Sequence, residues 1–241
     1  MIEDVVVEPM TEEFIVWRCL HGGPLSCKTI DQWPEMREMG AIPLERYRDR
    51  NMPLLRKLIQ TYGTCAIVAR DGDQVVGQLR FYPKVLYAME NAGYLCLQQD
   101  HPAGASDGFA DSDFPELASI EDKTLSVHCL MTGTSLQAEN PYQRKGIGTR
   151  MAKTLIQWAG ANGWEHIEAD AFEDIPLIYK FTGSAGYTFW EKLGFHIADR
   201  HPHPHLQDHD EFVRKLEEQA KAIGVSPERA RDRIIMRLDL I

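Results

Sequence analysis

The residues Gln143-Arg144-Lys145-Gly146-Ile147-Gly148 are the part of this chain best equipped for chemistry. Ile147, Met151, Leu155 and Trp158 recur at helical spacing, and Gly163 supplies a stop, so the pattern predicts a helix that opens inside the motif. The first turn of a helix leaves several N–H groups without intrahelical partners, and the helix dipole adds positive character at the same end. Such a turn is an anion site. Gly146 and Gly148 let a diphosphate approach the main chain because no Cβ intervenes, and Arg144 and Lys145 add charge. A P-loop is excluded because no Gly-Lys-Ser/Thr follows at the required spacing. A dinucleotide fingerprint fails because Met151 stands where its third glycine belongs. The competing reading is a glycine-rich bend that binds nothing.

A second set of groups lies on the predicted strand from His166 to Phe172. Alternation puts Glu168 and Asp170 on one face, with His166 beside them. Two carboxylates on one face of a central strand are costly to bury unless that face meets a cleft. Their mutual repulsion raises one pKa toward the range of a general base. The alternative is that both pair with Arg or Lys, or lie on a solvated strand end. His128, on the strand from Leu125 to Met131, is the second candidate base, although a lone strand histidine is more often structural.

Gln-x-x-Gly-x-Gly opening an amphipathic helix resembles the signature of the GCN5-related N-acetyltransferase (GNAT) superfamily. The segment Phe189-Trp190-Glu191-Lys192-Leu193-Gly194-Phe195 is similar to that superfamily's late helix and its Gly-Phe ending. The resemblance implies an N-acetyltransferase that uses acetyl-CoA as cosubstrate, requires no metal and acts on a small-molecule or protein amine. It implies that Gln143 and the backbone of Arg144, Lys145, Gly146, Ile147, Gly148 and Thr149 hold the coenzyme A diphosphate. The pantetheine arm would pair like an extra strand with Cys129, Leu130 and Met131, which requires the two central strands to splay. Attack on a thioester needs a neutral amine, whereas alkylamines are mostly protonated near neutral pH, so a base is required. Glu168 is the first choice, with Asp170 and His128 behind it. The superfamily often places a proton-donating Tyr where this chain has Trp190, which is counted here with the cofactor-binding residues. Tyr187, one turn earlier, is the substitute acid, or simply packing.

Other constellations are less specific. His201-Pro202-His203-Pro204-His205, followed by Asp208, His209 and Asp210, has alternate imidazoles that could chelate zinc or nickel, but nothing fixes a tetrahedral set. Cys129 alternates with apolar residues, which favours packing over nucleophilic work. His21-Gly22-Gly23-Pro24 is a helix stop and turn, or touches the acceptor. The rival readings are a non-enzymatic acyl-CoA-binding module and a metal-binding interaction protein built on the His-rich stretch.

These residues need a scaffold. The pattern predicts a strand at Val5 to Pro9, then a helix capped by Thr11 with Glu12 and Glu13 in its first turn. A helix follows over Leu44 to Tyr62, with Leu54, Leu55, Leu58 and Ile59 on its apolar face. Asp71-Gly72-Asp73 joins strand-like runs at Cys65 to Arg70 and Gln74 to Phe81 as a hairpin. A strand is expected at Tyr94 to Gln98, a long loop at Asp100 to Asp113 and a helix at Ala185 to Leu193. Further helices are expected at Glu211 to Ile223 and after Ser226-Pro227, before a closing strand at Arg233 to Ile241. The fold class is α/β: a mixed central β-sheet flanked by helices, GNAT-like, with a helical insertion at about 201–231 before the last strand. One domain over 1–241 is expected, most recognisable at 65–195.

The net charge of −10 argues against nucleic acid, whose binding needs Lys and Arg on phosphates. No apolar run reaches the roughly 20 residues of a membrane span. Five cysteines, odd in number and without a CxxC pair, are expected to be reduced, and Met1-Ile2-Glu3-Asp4 lacks a basic leader; a cytoplasmic protein is expected. A homodimer stays open.

Overall fold

The computed structural model describes residues 4–18, 20, 25–26, 38–39, 42–88, 114–133, 140–178, 185–203 and 210–240. The expected strand at Tyr94 to Gln98, the loop at Asp100 to Asp113 and the His21 to Pro24 turn lie outside these residues.

Seven strands form one mixed sheet. They are β1 (Val6–Pro9), β2 (Ala66–Asp71), β3 (Gln74–Pro83), β4 (Thr124–Thr132), β5 (His166–Ala171), β6 (His196–Pro202) and β7 (Asp232–Asp239), in spatial order β1-β2-β3-β4-β5-β7-β6. Leu25–Ser26 adds a short antiparallel pairing to β3. Every main pairing is antiparallel except β4 with β5. The parallel pair follows from the crossover between those strands, which carries α2 (Ile147–Ala161), as a parallel connection requires.

α2 lies on the sheet through Met151, Leu155 and Ala159, all buried, and Phe81 of β3 meets Trp158 with ring centroids 5.4 Å apart. Arg150 of α2 donates to the Val5 carbonyl at 2.6 Å, fastening the helix to the start of β1. Helix α1 (Leu44–Tyr62) buries Leu54, Leu55, Leu58 and Ile59 as its periodicity predicts. The insertion before the closing strand is helical: α4 (Asp210–Ala222) and α5 (Pro227–Ala230) follow the short α3 (Tyr187–Glu191) and β6. Ser226 caps α5 by accepting from the Arg229 amide at 3.4 Å, with Pro227 in the first turn. Leu216, Ala220 and Ala230 form a second small core with Phe172, Ile175 and Ile178.

Two elements differ from expectation. Thr11 does not cap a helix; it forms a bridge with Phe14 around a tight turn, and Ile15, Val16 and Trp17 continue without regular structure. Those three are all buried, so the stretch lacks the polar face a surface helix needs, and their contacts override the capping signal. The helix expected from Ala185 to Leu193 is shortened to α3. Gly186 is drawn into a parallel bridge with Phe172, and the Tyr187 amide donates to the Phe172 carbonyl at 2.9 Å.

Candidate active site

The parallel pairing between β4 and β5 covers four residues, Thr124 to Val127 against His166 to Ala169. Beyond Val127 the strands part. On its other edge β4 stays paired with β3, where Cys129, Leu130 and Met131 face Arg80, Leu79 and Gln78. The register there shifts by one residue: Phe81 pairs with Val127 and Arg80 with Cys129, leaving His128 as the extra residue of a bulge. From His128 to Thr132 the β5-facing edge of β4 borders the gap, so its main-chain donors and acceptors are set to pair with an extended ligand.

The gap leads to the start of α2. Gly146 is the residue before the helix, with φ 78°, and no side chain caps the first turn. A left-handed residue there lets the chain turn into the helix while its amides converge on the opening. An open cleft of about 250 Å³ lies against this turn. Its walls are Leu130 and Thr132 of β4, Tyr142, Arg144 and Gly146 to Thr149, with Ala185 and Phe189 opposite. A Cβ on Gly148 would sit 3.8 Å from Thr132 and 4.0 Å from Phe189, inside the cleft, so glycine keeps this wall open for a ligand.

Asn140 and Tyr142 hold the turn in place. The Asn140 amide donates to the Thr132 carbonyl at 2.7 Å and its side-chain oxygen accepts from the Tyr142 amide at 3.0 Å. The Tyr142 hydroxyl donates to Asp71 at the β2–β3 hairpin tip, at 2.9 Å. Partial burial and that carboxylate raise the Tyr142 pKa, so the hydroxyl stays a donor.

A splayed β4–β5 pair opening onto an uncapped, glycine-bearing helix start is the arrangement the sequence resemblance requires. Residues 31–181 match the Acetyltransferase (GNAT) family. This chain belongs to the GNAT acetyltransferase family. The acetyltransferase is similar in fold to several solved structures. An N-acetyltransferase from Staphylococcus aureus Mu50 is 11% identical, with 98% of this chain and 99% of that one covered and a TM-score of 0.48. Ard1 from Thermoplasma volcanium is 9% identical, with 99% of each chain covered and a TM-score of 0.44. A GNAT family acetyltransferase from Elizabethkingia anophelis with acetyl-CoA bound is 12% identical, with 98% and 99% covered and a TM-score of 0.41. Among curated proteins none matches this chain.

Of the expected ligand-holding residues, the acetyltransferase brings Leu130, Arg144, Gly146, Ile147, Gly148 and Thr149 to the cleft. Gln143 and Lys145 are exposed beside it, and Cys129 and Met131 flank Leu130 on β4 without joining the cleft walls. Trp190 is a correction. It is 2% exposed and packs edge-on to Phe189 and against Phe195, each with centroids 5.0 Å apart, so Phe189 takes the wall and Trp190 the core. Thr132, Tyr142, Ala185 and Phe189 were missed. Tyr142 adjoins the motif and Phe189 adjoins Trp190, but which of two neighbours faces the ligand depends on the exact phase of a helix only five residues long.

The carboxylates are paired. Glu168, 8% exposed, meets Lys84 at 2.7 Å and Arg237 at 2.8 Å, Arg237 lying directly across on β7. Asp170 meets Arg233 at 2.5 Å, the diagonal neighbour on the same face. His128 differs. Burial, then the Arg80 guanidinium, lower its pKa to about 4, so it is a neutral imidazole near pH 7; its ring lies 5.7 Å from Tyr82. Partial burial and the carboxylates of Glu173, Glu191 and Asp174 raise the Tyr187 pKa, which keeps that hydroxyl protonated. Among the described residues no group of three or more His, Cys, Asp or Glu is placed to hold a metal ion. His205 and His209 lie outside them. Burial pushes the Cys65 thiol up to about 12, making it inert.

Proposed function

We propose that this acetyltransferase moves an acetyl group from acetyl-CoA to a primary amine, by direct attack with general-base assistance. The observation that carries the reading is the gap between β4 and β5 running into the uncapped first turn of α2. The amides of Gly146 to Thr149 accept the diphosphate, with charge from Arg144 and Lys145 and support from Gln143. The β5-facing edge of Cys129, Leu130 and Met131 pairs with the pantetheine amides. The donor supplies an activated thioester, which needs no metal to react with an amine.

The chain's remaining task is to manage protons. His128, at the point where the strands part, takes the ammonium proton, directly or through one water. Glu168 and Asp170, each in an ion pair, shape the acceptor side and are the alternative bases. As the new C–N bond forms, the nitrogen gives up a second proton to solvent, and as the C–S bond breaks the departing thiolate, with an intrinsic pKa of about 8.5, takes a proton from solvent or from Tyr187, which solvent then reprotonates. Positioning of the two reactants supplies most of the rate. The acceptor is a small-molecule or protein amine and the place of action the cytoplasm.

Thiol release from acetyl-CoA across a broad panel of primary amines tests this reading. The expected result is amine-dependent release that falls about a hundredfold in His128→Ala. A melting shift with coenzyme A but no release for any amine would instead identify a binding module.

A further inference from the structure

Lys84 opens a single turn of 3-10 helix directly after β3, and its side chain crosses the sheet. Its Nζ lies 2.9 Å from Oε1 and 2.7 Å from Oε2 of Glu168, on β5. Between them runs β4, where Ser126 stands opposite both Tyr82 of β3 and Glu168. The row holding Glu168 is one residue short of Val127 and Ala169, the last pair before β4 and β5 part. Strand residues advance about 3.3 Å each, so along the strands this row lies a single step from the mouth of the gap.

The proposed donor ends at the same point. With its diphosphate at α2 and its pantetheine arm along Met131, Leu130 and Cys129, its thioester arrives where the strands part. α2 covers the face of the sheet that carries Phe81, and Glu168 projects from the other, the face left to the acceptor. Lys84 therefore presents a primary amine beside the reacting carbon, on the side from which an acceptor must come. Its side chain is 44% exposed, and an ion pair open to solvent holds a flexible lysine weakly, so a rotamer change carries Nζ from Glu168 toward the gap.

Resting on the acetyl-CoA reading above, we infer that Lys84 is a modification site, acetylated by the acetyl-CoA held in the same chain when no acceptor is bound. The step balances without any further reactant. The ammonium first loses one proton to solvent, and the neutral Nζ then attacks the thioester carbonyl. The N–C bond forms, the C–S bond breaks, the nitrogen releases a second proton and the thiolate takes one back. The products are Nε-acetyl-Lys84, coenzyme A and one proton. Acetylation cancels the charge on Lys84 and leaves Arg237, at 2.8 Å, as the cation on Glu168, so the next amine meets a more anionic face.

The test is incubation of the full chain, isolated with Lys84 unmodified, with acetyl-CoA and no amine, followed by intact mass and peptide mapping. The expected result is one acetyl group, on Lys84, gained about tenfold faster than at the exposed Lys153, Lys192 and Lys221. The rate constant should not change with protein concentration, because the transfer is intramolecular, and excess coenzyme A should suppress it. Lys84→Arg, which keeps the cation on Glu168, should gain no acetyl group yet still release thiol with the amine panel. The inference is overturned if Lys84 stays unmodified, if the urea-unfolded chain acetylates it as fast, or if the rate constant rises with protein concentration. Amine-dependent thiol release in any of those cases leaves the acetyltransferase reading standing. A chain that neither modifies itself, releases thiol with any amine nor binds coenzyme A removes that reading and the inference together.

Discussion

At the scale of residues, the two groups most like a catalytic base have been separated by their surroundings. Glu168 was the better candidate by type and spacing, yet Lys84 and Arg237 both close on it. Glu168→Gln would leave those cations facing each other without an anion. Because both are partly exposed, at 44% and 25%, the expected loss is about 2 kcal/mol in urea unfolding, well below that of a sealed ion pair. The pH profile of acetyl transfer should keep its shape in this variant. His128 makes the opposite prediction. Its folded pKa of about 4 lies below the unfolded value of about 6.5, so between those values the unfolded chain binds more protons. Stability should therefore fall as pH drops from about 6.5 toward 4, by up to ~3 kcal/mol from this group, and His128→Phe should flatten that part of the curve.

At the scale of elements, sequence and structure agree where a local signal decides and part where neighbours decide. The entrance to α2 was legible because glycines, an apolar stripe and a stop residue follow one another along a single continuous segment. The β2–β3 hairpin was legible for the same reason, through Asp71-Gly72-Asp73. The splay of β4 from β5 was required by the resemblance but carried no signal of its own. It coincides with a one-residue slip against β3, and nothing in His128 marks it as the bulged position. Nor did Asn140 and Tyr142 announce their hold on the turn, because their partners Thr132 and Asp71 come from other elements. Tyr142→Phe should free the turn from the hairpin, raising KM for acetyl-CoA several-fold with kcat little changed. The insertion is joined differently. Glu173, whose side chain is 3% exposed, meets Arg200 of β6 at 2.9 Å and Arg229 of α5 at 2.8 Å. Glu173→Gln should cost about 3 kcal/mol of stability while leaving coenzyme A affinity unchanged, since the cleft is lined by other residues.

At the scale of the whole molecule, one sheet supports both halves of the proposed reaction. α2 and the cleft serve the donor, and the face bearing Glu168, Asp170 and His128 is left to the acceptor. Folding and donor binding are therefore linked: coenzyme A at a hundred times its Kd should stabilise the chain by about 2.7 kcal/mol, a melting shift of several degrees. Fold class and family were legible from two short motifs: one is a glycine-bearing turn into a helix, and the other ends a helix at Gly194, with φ 94°, followed by the buried Phe195. The acceptor was not, because neither motif carries a side-chain signal for it. The central claim is that main-chain amides at the start of α2 hold the donor, and amide hydrogen exchange with and without acetyl-CoA reads those groups directly. The account predicts slowed exchange at Ile147, Gly148 and Thr149 and along the β5-facing edge of β4. Unchanged exchange there at saturating acetyl-CoA, with protection appearing elsewhere, would contradict it.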